Sequence, residues 1–158
     1  MLELNEKLVN KLIELNYKIT FAESCTGGLC ASKIVEVSNA SKVFEQSFVT
    51  YSNESKVNLL GVDPDTIEKY GVVSEEVAIQ MAKGCALKAN ANIGVGISGI
   101  AGPTGATPNK PVGMVCFGFY INGEISFKTM FFGNVGRNVV RGHSVKFVLE
   151  YLLHKLGE

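Results

Sequence analysis

Strand-sized apolar runs alternate with helix-sized stretches through the first two thirds of the chain, and then the alternation stops. That change of pattern restricts the possible folds more than any other feature. Lys18 to Ala22 reads as a strand, Thr26 to Val37 as a helix opened by glycines, and Phe48 to Tyr51 as a second strand. A strand–helix–strand succession makes a right-handed parallel unit. Asn53 to Leu60 is a short helix stopped by Gly61. Asp63-Pro64 opens another, with proline at its first position, and Ser74 caps a longer one running to about Ala91. This helical stretch is long enough to cross to a third strand, Ile93 to Ile97. No helix follows: residues 98–112 are rich in glycine and proline. Val112 to Ile121 and Glu124 to Phe132 are strands joined by Asn122-Gly123, a two-residue hairpin signal. The expected fold is α/β, with a mixed five-stranded sheet in the order 2-1-3-4-5, strand 4 antiparallel, and helices on both faces. A terminal helix stands at each end. Residues 2–16 carry Leu4, Leu8, Leu12 and Leu15 on one stripe, and Val140, Phe147, Val148, Tyr151 and Leu152 recur at helical spacing between about Gly136 and Leu156.

The chain's 158 residues suit one domain, 1–158, without repeats or linkers. Fifteen basic residues balance fifteen acidic ones, and a chain without net charge is a poor general nucleic-acid binder. It lacks the run of roughly 20 apolar residues that a membrane span requires. Cys25, Cys30, Cys85 and Cys116 include no C-x-x-C pair, and His143 and His154 are the two histidines, so neither zinc nor a disulfide framework is expected. The acidic amphipathic start is no export signal, which places the protein in the cytoplasm.

Three polar loops follow the carboxyl ends of strands one, two and three. They are Glu23 to Gly28, Ser52 to Lys56, and Ser98 to Gly105. Strands one and three flank the point where strand order reverses, the usual ligand crevice of an open α/β sheet, so the three loops converge there. Ser24 stands at a strand-to-helix turn, where the amides of Cys25, Thr26 and Gly27 are free to hold a phosphate or an oxyanion. Ser24 or Thr26 can equally be a plain helix cap. Lys56 lies about one turn into its helix, and helical side chains lean toward the N-terminus, back over Tyr51 and Ser24. A lysine desolvated there has a lowered pKa and can take a serine proton; the alternative is a solvated lysine with Tyr51 in the core.

Gly94-x-Gly96-x-x-Gly99 imitates a dinucleotide fingerprint, but no helix opens there and position 119 is Phe119, not an acid. A Walker A sequence is missing too. The glycines then serve the close approach of a helix or a ligand. Ser98 to Gly105 offers amides to a ligand or forms a rigid turn. Arg137 and Arg141, four apart on one helical face, clamp a phosphate or carboxylate or are ordinary surface residues. Cys25 is a minor candidate nucleophile, because a helix N-terminus lowers a thiol pKa. Phe117, Phe119, Phe127 and Phe131 form either core or a dimer surface.

Taken together, Ala22-Glu23-Ser24-Cys25-Thr26-Gly27-Gly28, Thr50 to Lys56, Gly71-Val72-Val73-Ser74, Gly96 to Pro103 and Lys110-Pro111-Val112-Gly113 resemble the CinA C-terminal domain family, also known as nicotinamide-nucleotide amidohydrolase. The resemblance covers nearly the whole chain. It implies a three-layer αβα sandwich and hydrolysis of the carboxamide of nicotinamide mononucleotide to nicotinic acid mononucleotide and ammonia, a step of pyridine nucleotide salvage. It implies Ser24 as nucleophile, Lys56 as its base and Tyr51 as an assisting hydroxyl. Cys25, Thr26, Gly27, Gly28, Ser98, Gly99, Ala101, Gly102, Thr104, Arg137 and Arg141 are the candidate substrate contacts. It further implies a homodimer and a small nucleotide partner; no metal or cofactor is expected.

The chain departs from the family in two places. Ala106 stands where many members have glycine, and Gly133-Asn134-Val135-Gly136-Arg137 stands where they have a Gly-Asp-Arg triplet. The fused N-terminal domain of many relatives, and any pyrophosphatase activity linked to it, is expected to be absent. Two other functions fit the same residues. One is a non-catalytic nucleotide-binding or regulatory domain linked to competence or DNA damage. The other is an amidohydrolase for a different small amide.

Overall fold

The computed structural model describes residues 1–158. Glu3 and Glu6 cap the first helix, α1 (Leu4–Leu15), reciprocally, and Asn16 ends it in a left-handed conformation. Leu8, Val9 and Leu12 of α1 are buried, whereas Leu4 and Leu15 are only half-buried. β1 (Ile19–Glu23) is buried at every position, as a central strand covered on both faces must be. α2 (Leu29–Val35) and a short turn at Ala40–Lys42 lead to β2 (Phe48–Val49). Ser52 and Ser55 form a capping box on α3 (Asn53–Leu60), and Gly61 closes it at φ 71°. Asp63 caps α4 (Pro64–Tyr70), and the Ser74 hydroxyl accepts the Val77 N–H at the start of α5 (Glu75–Ala89). β3 (Ile93–Gly99), β4 (Met114–Ile121), β5 (Glu124–Phe131) and α6 (Arg137–Lys155) complete the chain.

The sheet order is β2-β1-β3-β4-β5, with β1 parallel to β2 and β3, and β4 antiparallel to both its neighbours. This is the mixed α/β sandwich that the sequence pattern leads one to expect. The helices α1, α2 and α6 cover one face; α3 and α5 cover the other. Asn122 at φ 48° and Gly123 at φ 91° form the mirror-image turn that suits the twist of a two-residue hairpin.

The register matters for function: Glu23 pairs with both Val49 and Ile97, so β1, β2 and β3 end side by side. The glycines of the false dinucleotide motif also find their reason. A Cβ on Gly94 or Gly96 would run into the carbonyls of Ala82 and Ala78, and Gly118, paired with Gly96 on β4, faces Ala78 as well. They let α5 lie directly on the sheet.

Several element boundaries differ from expectation by one to three residues, and two of these shifts move candidate residues. The second helix starts at Leu29, not Thr26, because Gly27 at φ 58° and Gly28 at φ 104° hold a left-handed turn ahead of it. The second strand ends at Val49, leaving Tyr51 beyond the ladder. The four phenylalanines divide: Phe117 and Phe119 are buried against Phe147 and Tyr151, whereas Phe127 and Phe131 on the edge strand β5 are exposed.

Candidate active site

Glu23 ends β1 with a fully buried carboxylate that accepts the Cys30 and Ala31 N–H groups at 2.9 and 3.1 Å. The N-terminus of α2 is therefore occupied by a side chain of the protein itself. The turn that follows is closed by the Gly27 N–H, which donates to the Ser24 carbonyl at 3.0 Å. Of the three amides expected to be free, Gly27's is thus engaged, whereas those of Cys25 and Thr26 donate to no protein acceptor. Arg141 locks this turn from α6: its Nε donates to the Cys25 carbonyl at 2.9 Å and an Nη to the Thr26 carbonyl at 3.1 Å.

Lys56 emerges from the second turn of α3 and leans back toward the strand ends. Its Nζ lies 3.1 Å from Ser24 Oγ and donates to the Thr50 carbonyl at 2.6 Å. The residue is 1% exposed, and loss of water lowers its pKa from 10.5 to about 8. The geometry has a chemical consequence. A carbonyl can only accept, so Thr50 O holds one N–H of the amine. In the neutral amine the lone pair is then free to face the serine hydroxyl.

Ser24 and Lys56 open into a cavity of about 180 Å³ that Cys25, Tyr51, Asn53, Val72, Val73, Ser98, Gly99, Ala101 and Arg137 also line. Tyr51 lines this cavity but is not in the core, and its hydroxyl hydrogen-bonds to neither Ser24 nor Lys56. It is 63% exposed, and its hydroxyl accepts an Arg137 Nη–H at 2.8 Å. Of the expected trio, hydroxyl and amine meet, while the phenol, beyond the end of β2, accepts its hydrogen bond from Arg137 at the rim. Arg137 also donates to the Gly102 carbonyl at 2.8 Å, so it ties the loop after β3 to the loop after β2. Ser98 Oγ donates to the Val72 carbonyl at 2.8 Å.

The remaining candidates lie outside the cavity. Thr26 is fully buried, Gly28 faces Val49, and Thr104 is exposed on the loop. Arg141 is a clamp on backbone carbonyls and not a cavity residue. Cys25 is corrected more sharply. Its thiol is pushed up to about 11 by burial, which outweighs the lowering by its own backbone hydrogen bond and by Arg141 and Arg137. A thiol held protonated is no nucleophile at neutral pH. Sequence reasoning missed the Thr50 carbonyl, which carries no side-chain signal. It also missed Asn53, Val72 and Val73 as cavity walls, although Gly71 to Ser74 stands out as a motif.

The family model "CinA C-terminal domain" matches residues 1–156. A "CinA-like protein" of Kosmotoga olearia is 50% identical over 153 residues, covering 97% of this chain and 37% of the relative. The chain thus spans little more than a third of that relative's length. A crystal structure of the competence/damage inducible protein CihA from Agrobacterium tumefaciens superposes with a TM-score of 0.94 at 37% identity, over 98% of this chain and 94% of that one. A CinA superfamily protein from Escherichia coli superposes with a TM-score of 0.91 at 35% identity, over 95% and 87%. No helix is long and apolar enough to cross a membrane. By sequence and by fold, the chain belongs to the CinA C-terminal domain family.

Proposed function

We propose that this protein hydrolyses the carboxamide of nicotinamide mononucleotide, giving nicotinic acid mononucleotide and ammonia. One observation carries the reading: a buried amine with a lowered pKa lies 3.1 Å from a serine hydroxyl at the mouth of the cavity between the strand ends. Neutral Lys56 takes the Ser24 proton as Oγ forms a bond to the amide carbon. The N–H of Cys25, which lines the cavity and donates to no protein acceptor, is a donor for the developing oxyanion. The Lys56 ammonium returns the proton to the departing nitrogen as the C–N bond breaks, leaving an acyl-serine and ammonia. Water, deprotonated by the same amine, then attacks the ester, and the Lys56 ammonium returns that proton to Ser24 Oγ as the acyl C–O bond breaks. Tyr51, turned toward Arg137, takes no part in these transfers.

The cavity is smaller than the roughly 300–1,000 Å³ of sites that enclose whole ligands, which suits entry of the amide-bearing ring alone. The sugar phosphate then lies over the rim, where Arg137 supplies a cation. A cytoplasmic location, a small nucleotide partner and a homodimer go with this reading; sedimentation equilibrium tests the last.

The test is ammonia release and product mass with nicotinamide mononucleotide, with Ser24→Ala and Lys56→Ala as controls. Turnover in the wild type and its loss in both controls support the reading. Binding without ammonia release favours a nucleotide-binding regulatory domain, in keeping with the competence/damage inducible description of the Agrobacterium relative. Turnover of other amides alone transfers the dyad to a different substrate.

A further inference from the structure

The four carbonyls from Tyr70 to Val73 are all held by side chains. Lys110 Nζ donates to those of Tyr70 and Val73, both at 2.6 Å; Ser74 Oγ donates to that of Gly71 and Ser98 Oγ to that of Val72, both at 2.8 Å. A surface turn can leave such carbonyls to water. Here a cation spans the turn instead, with two charge-assisted bonds. Gly71, at φ 83°, makes room for it, since a Cβ there would come within 2.7 Å of Lys110 Nζ. Lys110 is itself fixed, because it closes a tight turn in which Thr107 and Lys110 exchange backbone hydrogen bonds at 2.9 and 3.2 Å. Val72 and Val73, in the turn so pinned, line the cavity of Ser24 and Lys56, while Lys110 lies outside it and bonds to neither Ser24 nor Lys56.

We propose that Lys110 is a positioning residue: it holds Val72 and Val73 as a rigid apolar wall against the ring of a bound substrate, and so governs substrate binding without touching the nucleophile. This rests on the serine–lysine reading of the site. Lys110 acts through the turn from Tyr70 to Val73 that carries the two valines, so its loss weakens binding of a ring-bearing group and leaves Ser24 as reactive as before.

Two sulfonyl fluorides that sulfonylate serine, forming an O–S bond as fluoride leaves, separate these effects. One, phenylmethanesulfonyl fluoride, carries a ring; the other, methanesulfonyl fluoride, carries none. Labelling of Ser24 in the full chain is followed by mass. In Lys110→Met, labelling by the ring-bearing reagent is expected to slow roughly tenfold and labelling by the methyl reagent to stay at the wild-type rate. With nicotinamide mononucleotide, KM rises roughly tenfold and kcat holds within about threefold. Lys110→Arg, which keeps charge and donors, gives intermediate values for the ring reagent and for KM. Should Lys110→Met not fold, those Lys110→Arg values decide. Equal slowing of both reagents, or no change with either, overturns the proposal. If the wild type labels with both reagents but releases no ammonia, the amidase reading falls and the reagent ratio still tests the wall. If neither reagent labels wild-type Ser24, the dyad and this proposal fall together.

Discussion

Lys56 Nζ sits between two oxygens of unlike chemistry, 2.6 Å from the Thr50 carbonyl and 3.1 Å from Ser24 Oγ. The first can only accept a hydrogen bond. The second can also give its proton away. One contact anchors the amine, and the other makes it useful.

If the amine is the base, removing either partner abolishes the covalent route. Ser24→Ala and Lys56→Met are expected to lower kcat at least about 10²-fold, the usual contribution of a general base or nucleophile. Circular dichroism should show both variants folded. Turnover within a few-fold of wild type in a folded Ser24→Ala protein would disprove the serine's role.

Burial of Lys56 also makes both activity and stability depend on pH. With a pKa of about 8, about a tenth of the amine is neutral at pH 7. The rate should therefore climb through pH 8 and level off above it. Between about 8 and the 10.5 of the unfolded chain, the unfolded state binds more protons than the folded one, so stability rises with pH across that window. The full gain is about 3 kcal/mol. Urea unfolding of wild type and Lys56→Met at pH 7 and pH 10 checks this. The difference between the two proteins should move in favour of the wild type at the higher pH, and a difference independent of pH would refute the buried-cation account.

Tyr51→Phe separates the rim from the dyad. Its hydroxyl meets Arg137 and bonds to neither Ser24 nor Lys56. We expect a rise in KM of up to about tenfold, as Arg137 loses a partner, with kcat nearly unchanged. A loss of kcat comparable to that in Lys56→Met would restore the phenol to the proton path.

Thr50 contributes its main chain to the site, and its own hydroxyl is buried without a partner. Thr50→Val replaces the unpaired hydroxyl with a methyl group and keeps the carbonyl that anchors Lys56. Stability should rise by about 1 kcal/mol in chemical denaturation, with kcat retained. A destabilised variant would show that the hydroxyl is satisfied in solution.

Much of this site was legible in the chain because it is built from local signals. Ser52 before Asn53-Glu54-Ser55 announces a helix start, and a helix start fixes the direction in which Lys56 leans. Ser24 after an apolar run, with Gly27-Gly28 behind it, announces a strand-to-helix turn. Asn122-Gly123 orients the last two strands. Other features were hidden in the sequence. Glu23 reads as one more strand-end acid until the fold buries it over the amides of Cys30 and Ala31. Tyr51 reads as a partner of Lys56 until the early end of β2 sends it to Arg137, 86 positions away.

By itself, the sequence determined the order of strands and helices, the hairpin, the helix caps and the presence of a serine and a lysine at neighbouring strand ends. These depend on periodicity and on short-range hydrogen bonding, which a few consecutive residues settle. The tertiary structure decided which amides stay unpartnered, how dry the amine is, and that Arg141 and Lys110 hold backbone carbonyls 116 and 40 positions away. Desolvation and main-chain recognition depend on what packs around a group from every side, and no stretch of sequence contains that.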